Sequence, residues 1–183
     1  MAITVYTYND KVLVNNDNGK WLKKAPPPSE VTIGTQVWKN SSLAIDDGGE
    51  GITVNDGVYY YTTSAAQRIV NSIPGWHIPS YEEFNTLLNY VGNSATERIN
   101  ALAANSNRWL TPGNDTYGFG MLPNGYYNGD QLQEYDLRAQ FLHTYNNVLN
   151  NAYYFGRYRF GDYINSINVA GNYKCQVRLI KDS

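Results

Sequence analysis

Ile73-Pro74-Gly75-Trp76-His77-Ile78-Pro79-Ser80-Tyr81-Glu82-Glu83-Phe84 decides the local course of this chain. Pro79 fixes its own φ and steers Ile78 away from helix, so the stretch before it is extended or turned. Ser80 then stands where a helix needs an N-cap, and Glu83 follows three residues later, completing a capping box. The segment therefore predicts a turn that carries a buried tryptophan and releases directly into a helix from about Ser80 to Val91. Phe84, Leu87, Leu88 and Val91 fall on one face of that helix, and Gly92 offers its stop.

Working outward, Thr63-Ser64 opens a shorter helix whose apolar stripe is Ala65, Ala66, Ile69 and Val70, and a third helical piece over about Ser94 to Ala104 turns Ile99 and Leu102 inward. Val31 to Leu43 reads as one strand, and Val58-Tyr59-Tyr60-Tyr61 as another. Tyr117 to Tyr127 reads as a strand broken by turn glycines that brings Phe119 and Leu122 to the core. From Ala139 to Lys181 the chain alternates in strand fashion, at Ala139–Leu142, Ala152–Phe155, Tyr158–Phe160 and Cys175–Leu179.

About 40 residues before the Pro-Gly-Trp turn stands Thr32-Ile33-Gly34-Thr35-Gln36-Val37-Trp38-Lys39-Asn40, and near the end stands Gln176-Val177-Arg178-Leu179. This order, an IGxQxW strand, a PxGWHxP turn and a closing Val-Arg strand, resembles the Fibrobacter succinogenes major paralogous domain, a branch of the C-type-lectin-like fold. The likeness runs from about Val31 to Asp182 and takes in Trp109 and the Gly118-to-Tyr127 segment. It implies an α+β domain over 30–183, with two or three short helices and a twisted, mostly antiparallel sheet. The expected core is Trp38, Trp76, Phe84, Leu87, Leu88, Trp109, Phe119, Leu122, Phe141 and Val177, with Trp76→Ala expected to unfold it. The family's two usual cysteines are replaced at Ser72 or Ile73 and at Leu179; Cys175 is the single cysteine and lies four residues too early, so no intrachain disulfide forms. The resemblance points to a surface-displayed binding domain rather than an enzyme.

Composition narrows the function classes. Charged residues make up 16% and the net charge is −2, which gives no electrostatic footprint for nucleic acid or an anionic membrane. No apolar run approaches the roughly 18 residues of a membrane span, so no membrane insertion is expected. His77 and His143 are the only histidines. His77 sits inside the turn as a hydrogen-bonded structural residue, and His143, in a polar stretch, as a lone surface residue. Two histidines without a cysteine pair or spaced carboxylates make a poor zinc site, and no Gly-x-Ser-x-Gly elbow is present. No catalytic residue, metal ligand or cofactor is expected. Asp46-Asp47-Gly48-Gly49-Glu50-Gly51 must be a loop, and calcium binding there stays open beside a merely solvated loop.

The remaining chemistry lies between Thr144 and Tyr173, a region rich in Tyr and Asn. Tyr and Arg make binding hot spots, and Asn both donates and accepts. Tyr145, Asn147, Asn150, Tyr153, Tyr154, Arg157, Tyr158 and Tyr163 are the candidate ligand-binding residues. The same region of C-type-lectin-like domains holds their variable ligand loops. An assembly contact or a merely solubilising polar surface are the alternatives.

Residues 1–24 form a separate β segment, followed by a stiff Pro-rich spacer at 25–29. Val5, Tyr6, Tyr8, Val12, Leu13, Trp21 and Leu22 are its candidate partner-anchoring residues. The segment resembles short leaders of tail and fibre proteins of Bacteroidota phages; an additional ribbon of the main domain is the other reading. The start of the chain lacks a basic n-region and an apolar signal core, which suggests a particle assembled in a host cytoplasm. The expectation is a bacteriophage virion protein, displayed to bind a host-surface glycan or protein and held by other virion proteins, with a homo-oligomer possible. A structural capsid or tail decoration or fibre-joining protein, or an extracellular adhesin of a Bacteroidota cell, stand as alternatives.

Overall fold

A computed structural model of the protein describes residues 30–169 and 171–182, together with the backbone of 5–8, 11–15 and 21–24. Strands β1 (Val5–Tyr8), β2 (Lys11–Asn15) and β3 (Trp21–Lys24) form an antiparallel meander of their own. The anchoring candidates Val5, Tyr6, Tyr8, Val12, Leu13, Trp21 and Leu22 all sit on these strands, while their side chains and the spacer 25–29 lie outside the described residues.

The Thr32-to-Asn40 stretch is a hairpin rather than the single strand expected from its apolar run. β4 (Glu30–Ile33) folds back onto β5 (Gln36–Lys39) with Ile33 opposite Gln36. Gly34 supplies the turn with φ +62, a conformation that costs a glycine nothing and most residues a good deal. A second hairpin follows, β6 (Ile52–Asn55) and β7 (Val58–Tyr61), joined by Asp56-Gly57. The Asn-Asp-Gly signal for this turn stands openly in the sequence.

Helix α1 (Thr63–Val70) starts at Thr62, whose hydroxyl accepts from Ala65 N–H, and buries Ala65, Ala66, Ile69 and Val70 as its stripe predicts. The decisive turn contributes a two-residue strand, β8 (Trp76–His77), and then α2 (Tyr81–Val91). Ser80 caps α2 through a complete capping box with Glu83, and Phe84, Leu87, Leu88 and Val91 are buried. Gly92 ends this helix for a different reason than anticipated. Its backbone is extended, and a Cβ there would fall 2.8 Å from Glu97 Cβ. Close packing against α3 (Ala95–Leu102), not a left-handed cap, demands the glycine.

β9 (Tyr126–Asn128) and β10 (Gln131–Gln133) form a hairpin, and then the longest strands lie side by side: β11 (Arg138–Tyr145), β12 (Val148–Tyr158) and β13 (Gly161–Asn168). β14 (Tyr173–Lys174) pairs with β9. β15 (Ile180–Lys181) enters between β5 and β8, with Ile180 opposite both Trp38 and His77. The architecture is thus mixed α+β with antiparallel pairing between its strands and no intrachain disulfide. Among the described residues no helix is long and apolar enough to cross a membrane.

The β11–β13 sheet is covered on both faces. Successive residues of a strand point to opposite sides, so Phe141, Tyr153 and Phe155 pack with Trp38, Phe84 and Trp109 beneath α2 and α3. Leu142 and Ala152 pack instead with α1, Tyr61 and Val177. Of the expected core, Trp38, Phe84, Leu87, Leu88, Trp109, Phe119, Phe141 and Val177 are buried. Trp76 is a correction: it is half-buried, with the Lys39 ammonium 3.8 Å above its ring. Leu122 is another. Phe119 and Met121, two residues apart, are the buried pair here, and the Met121 carbonyl accepts from Trp109 Nε1–H at 2.9 Å.

Candidate functional site

The candidate ligand residues lie along β12 and its two turns. The turn Tyr145-Asn146-Asn147-Val148 holds Asn146 and Asn147 at φ 49 and 60, the left-handed pair that a two-residue hairpin turn requires. Tyr145 and Asn147 are exposed there, and Asn150 is half-buried, its Oδ1 accepting from Asn151 Nδ2–H. Tyr158 and Tyr163 stand at the other end. Ten residue steps of extended strand put the two ends roughly 34 Å apart. The eight residues therefore do not form one compact site.

Strand parity divides them again. Tyr153 faces the α2 side, stacks on Tyr81 (5.6 Å, 14°) and donates its hydroxyl to Asn85 Oδ1 at 2.8 Å. Burial raises its phenol well above the usual range. Arg157 is buried on the same face, forked onto Asp162 at 3.1 Å by both Nε and Nη2 and donating to Asn100 Oδ1 and Thr111 O. Both side chains are buried on the face that α2 and α3 cover.

The opposite face carries a layered stack. Tyr173 lies on Tyr126 (5.5 Å, 6°), and the Arg138 guanidinium sits 4.7 Å over Tyr126 and 4.0 Å over Tyr154. Arg138 is 7% exposed, and its Nε and Nη2 find no hydrogen-bond acceptor. The two ring faces take that place, as suits a weakly hydrated planar cation. Its Nη1 donates to Glu134 Oε2 at 3.0 Å, and the same oxygen accepts from the Tyr158 hydroxyl at 2.9 Å. Burial first, then this carboxylate, push the Tyr158 phenol up to about 12. Tyr158 lies across Gly156, where a Cβ would stand 2.3 Å from its ring, and beside Tyr163 (6.0 Å), which is 50% exposed.

The exposed amides Asn165, opposite Tyr154, and Asn128, opposite Tyr173, flank the rings. Rings held rigid by a buried cation, with amides at their margins, suit recognition of flat apolar faces edged by hydroxyl or peptide groups. Sequence reasoning placed Tyr154, Tyr158 and Tyr163 among the ligand residues. It missed Arg138, Glu134 and Tyr126, which only the pairing of β11 with β12 and β9 with β14 brings alongside.

Both histidines are bonded. His77 lies between two carboxylates, Nδ1 2.7 Å from Asp182 Oδ1 and Nε2 2.9 Å from Glu83 Oε1. Burial works against its charge, but the hydrogen bonds to Asp182 and Glu83 and their charges outweigh it, so its pKa is raised. His143 corrects the surface expectation: it is fully buried, 4.9 Å from the Tyr153 ring, with Nε2 2.7 Å from Ser166 Oγ. Burial pushes its pKa down.

The two histidines therefore act on stability with opposite signs. The His77 contribution is fully present below its unfolded pKa of about 6.5 and is lost as pH rises through its higher folded value. His143, neutral in the fold, weakens stability as pH falls. Urea midpoints of the native protein and His77→Gln between pH 5.5 and 8.5 separate them, since His143 is common to both. The native protein's advantage over the variant is expected to shrink toward the alkaline end; an advantage independent of pH would contradict the paired imidazolium.

In the acidic loop, Asp47 is forked by Arg68 (2.7 and 3.0 Å), which, with backbone N–H bonds, holds its carboxyl at about 2. Among the described residues no group of three or more His, Cys, Asp or Glu side chains is gathered to hold a metal ion. No family model, curated protein or solved structure matches this chain.

Proposed function

We propose that this chain is a non-enzymatic recognition protein with a C-type-lectin-like domain, displayed on a bacteriophage particle, that binds a host-surface glycan or protein. The observation carrying this reading is the Tyr173–Tyr126–Arg138–Tyr154 stack with Tyr158 and half-exposed Tyr163 beside it. Such rigid aromatic surface offers large contact area at small entropic cost. The fold assignment is supported by the meeting of three separated motifs in one sheet, where Ile180 pairs with Trp38 of the IGxQxW segment and His77 of the turn. Residues 1–24 are assigned to anchoring on another virion protein, joined to the domain by the 25–29 spacer.

Binding of the labelled full chain to intact Bacteroidota cells, with and without EDTA, tests this. Saturable binding is expected, weakened at least about tenfold by Tyr154→Ala combined with Tyr163→Ala, as loss of one hot spot alone would do. EDTA sensitivity would assign calcium to the acidic loop at 46–51.

A decoration or joining role is favoured by a different observation. Phe160 at the β12–β13 turn is 89% exposed and Leu110 58%, and the hydrogen bond from Arg157 to Thr111 O links their two segments. Another subunit seated here would cover both side chains. A decoration protein loses particle incorporation when Phe160 and Leu110 become Ser. A recognition protein still incorporates and loses only host attachment when the tyrosines change.

A further inference from the structure

At the other end of β12, a cleft of about 410 Å³ opens between the end of α1, the Ile73–Ile78 turn and the β11–β12 turn. Its size falls at the small end of ligand pockets, which run from roughly 300 to 1,000 Å³. Val70, Ile73, Pro74 and Trp76 supply apolar surface, and Gln67, Asn71 and Asn147 supply amides. The ionisable residues on its wall, His77 and Asp182, are bonded to each other at 2.7 Å. We infer that this cleft binds a single neutral sugar ring, at a site separate from the tyrosine stack.

The charge pattern selects a neutral ligand. An anion would meet the Asp182 carboxylate, and the His77 side chain paired with that carboxylate opposes a cation. The hydrogen-bonding pattern selects hydroxyl groups. Each amide both donates and accepts, as each hydroxyl does. The Asp182 side chain is 56% exposed and commits Oδ1 to His77, while its Oδ2 makes no hydrogen bond among the described residues and can accept from a hydroxyl. Apolar surface from Val70, Ile73 and Pro74 matches the C–H face of a ring, the Trp76 ring being capped by Lys39 at 3.8 Å, and the volume admits a single ring.

The walls are also preformed. Asp182 N–H donates to Gly75 O at 3.0 Å and Thr144 N–H to Pro79 O at 2.9 Å, which ties the turn to β15 and to β11. Gln67 Nε2–H donates to Asn71 Oδ1 at 2.7 Å, and Asn147 is fixed in the left-handed half of its turn. Little ordering remains to be done when a small ligand enters, which is what a weak, rigid ligand requires.

Saturation-transfer NMR of the full chain tests the inference, with glucose, galactose, mannose, fucose and N-acetylglucosamine as probes and glucuronic acid as the charged control. Transfer to one or more neutral sugars is expected, with millimolar affinity. Asn71→Leu and Asn147→Gly, which keeps the left-handed turn, should each weaken it about fivefold, the size of one lost hydrogen bond. Val54→Thr, at an exposed position of β6 that does not line the cleft, should leave it unchanged. Absence of transfer from every neutral sugar would overturn the inference. So would transfer that both cleft variants preserve, or that Val54→Thr abolishes, or equal binding of glucuronic acid.

Discussion

Trp38→Ala is expected to leave the chain unfolded, or to bring its urea midpoint close to zero. Trp38 is fully buried, 5.4 Å from the Phe84 ring and 5.8 Å from Phe119, and it stands opposite Val31 on one side and Ile180 on the other. Truncating a buried tryptophan to alanine costs about 3–5 kcal/mol, through lost burial and the cavity left behind. Domains of this size have only about 5–15 kcal/mol in all, and here no disulfide restricts the unfolded chain. Trp76→Ala should behave differently. Half-buried under Lys39, it gives up little packing, and a cooperative transition should survive with stability reduced by about 1–2 kcal/mol. Circular dichroism against urea ranks the two variants; the reverse order would displace the core from beneath β4, β5 and α2.

Arg178 carries the second large effect. Its guanidinium is buried, 4.4 Å over Phe119 and 5.3 Å from Phe141, and Nη1 donates to Phe119 O at 2.6 Å and Lys39 O at 3.1 Å. No carboxylate pairs with it among the described residues, and burial pulls its pKa down to about 9, with Asp115 acting in the other direction. It therefore still carries its charge at neutral pH, held by carbonyl dipoles and ring faces. Arg178→Ala removes the donor from two carbonyls and opens a cavity, a loss of about 3–5 kcal/mol. Arg178→Met refills the volume and relieves the cost of burying a charge, so its loss should stay under about 2 kcal/mol. Equal losses for the two would mean that the carbonyl contacts, not the volume, hold this part of the core.

What the sequence disclosed was local. The Ser80–Glu83 capping box and the three helical stripes depend on residues within one or two turns, and each formed where its spacing placed it. The hairpins were harder. The run from Val31 to Leu43 is apolar on both sides of Gly34, so its reversal shows only in the glycine's backbone. The candidate residues divide by strand parity. Tyr153 and Tyr154 are adjacent and chemically identical, and which one enters the core depends on α2 covering one face of β12. His143 looked exposed because its neighbours are polar, yet Tyr81 and Phe84 from α2 close over it. In both cases the missing information was the helix that packs on the sheet, which no spacing along the strand encodes.

The seating of β15 between β5 and β8 sets a timetable. Arg178 and the carbonyl of Lys39 that it binds are separated by 139 positions. At a synthesis rate of about 5–20 residues per second, the β4–β5 hairpin waits roughly 7 to 28 seconds on the ribosome for its neighbouring strand. Throughout that interval Trp38 has no Ile180 opposite it, so the nascent chain presents its most consequential side chain to whatever chaperone or neighbouring polypeptide reaches it first.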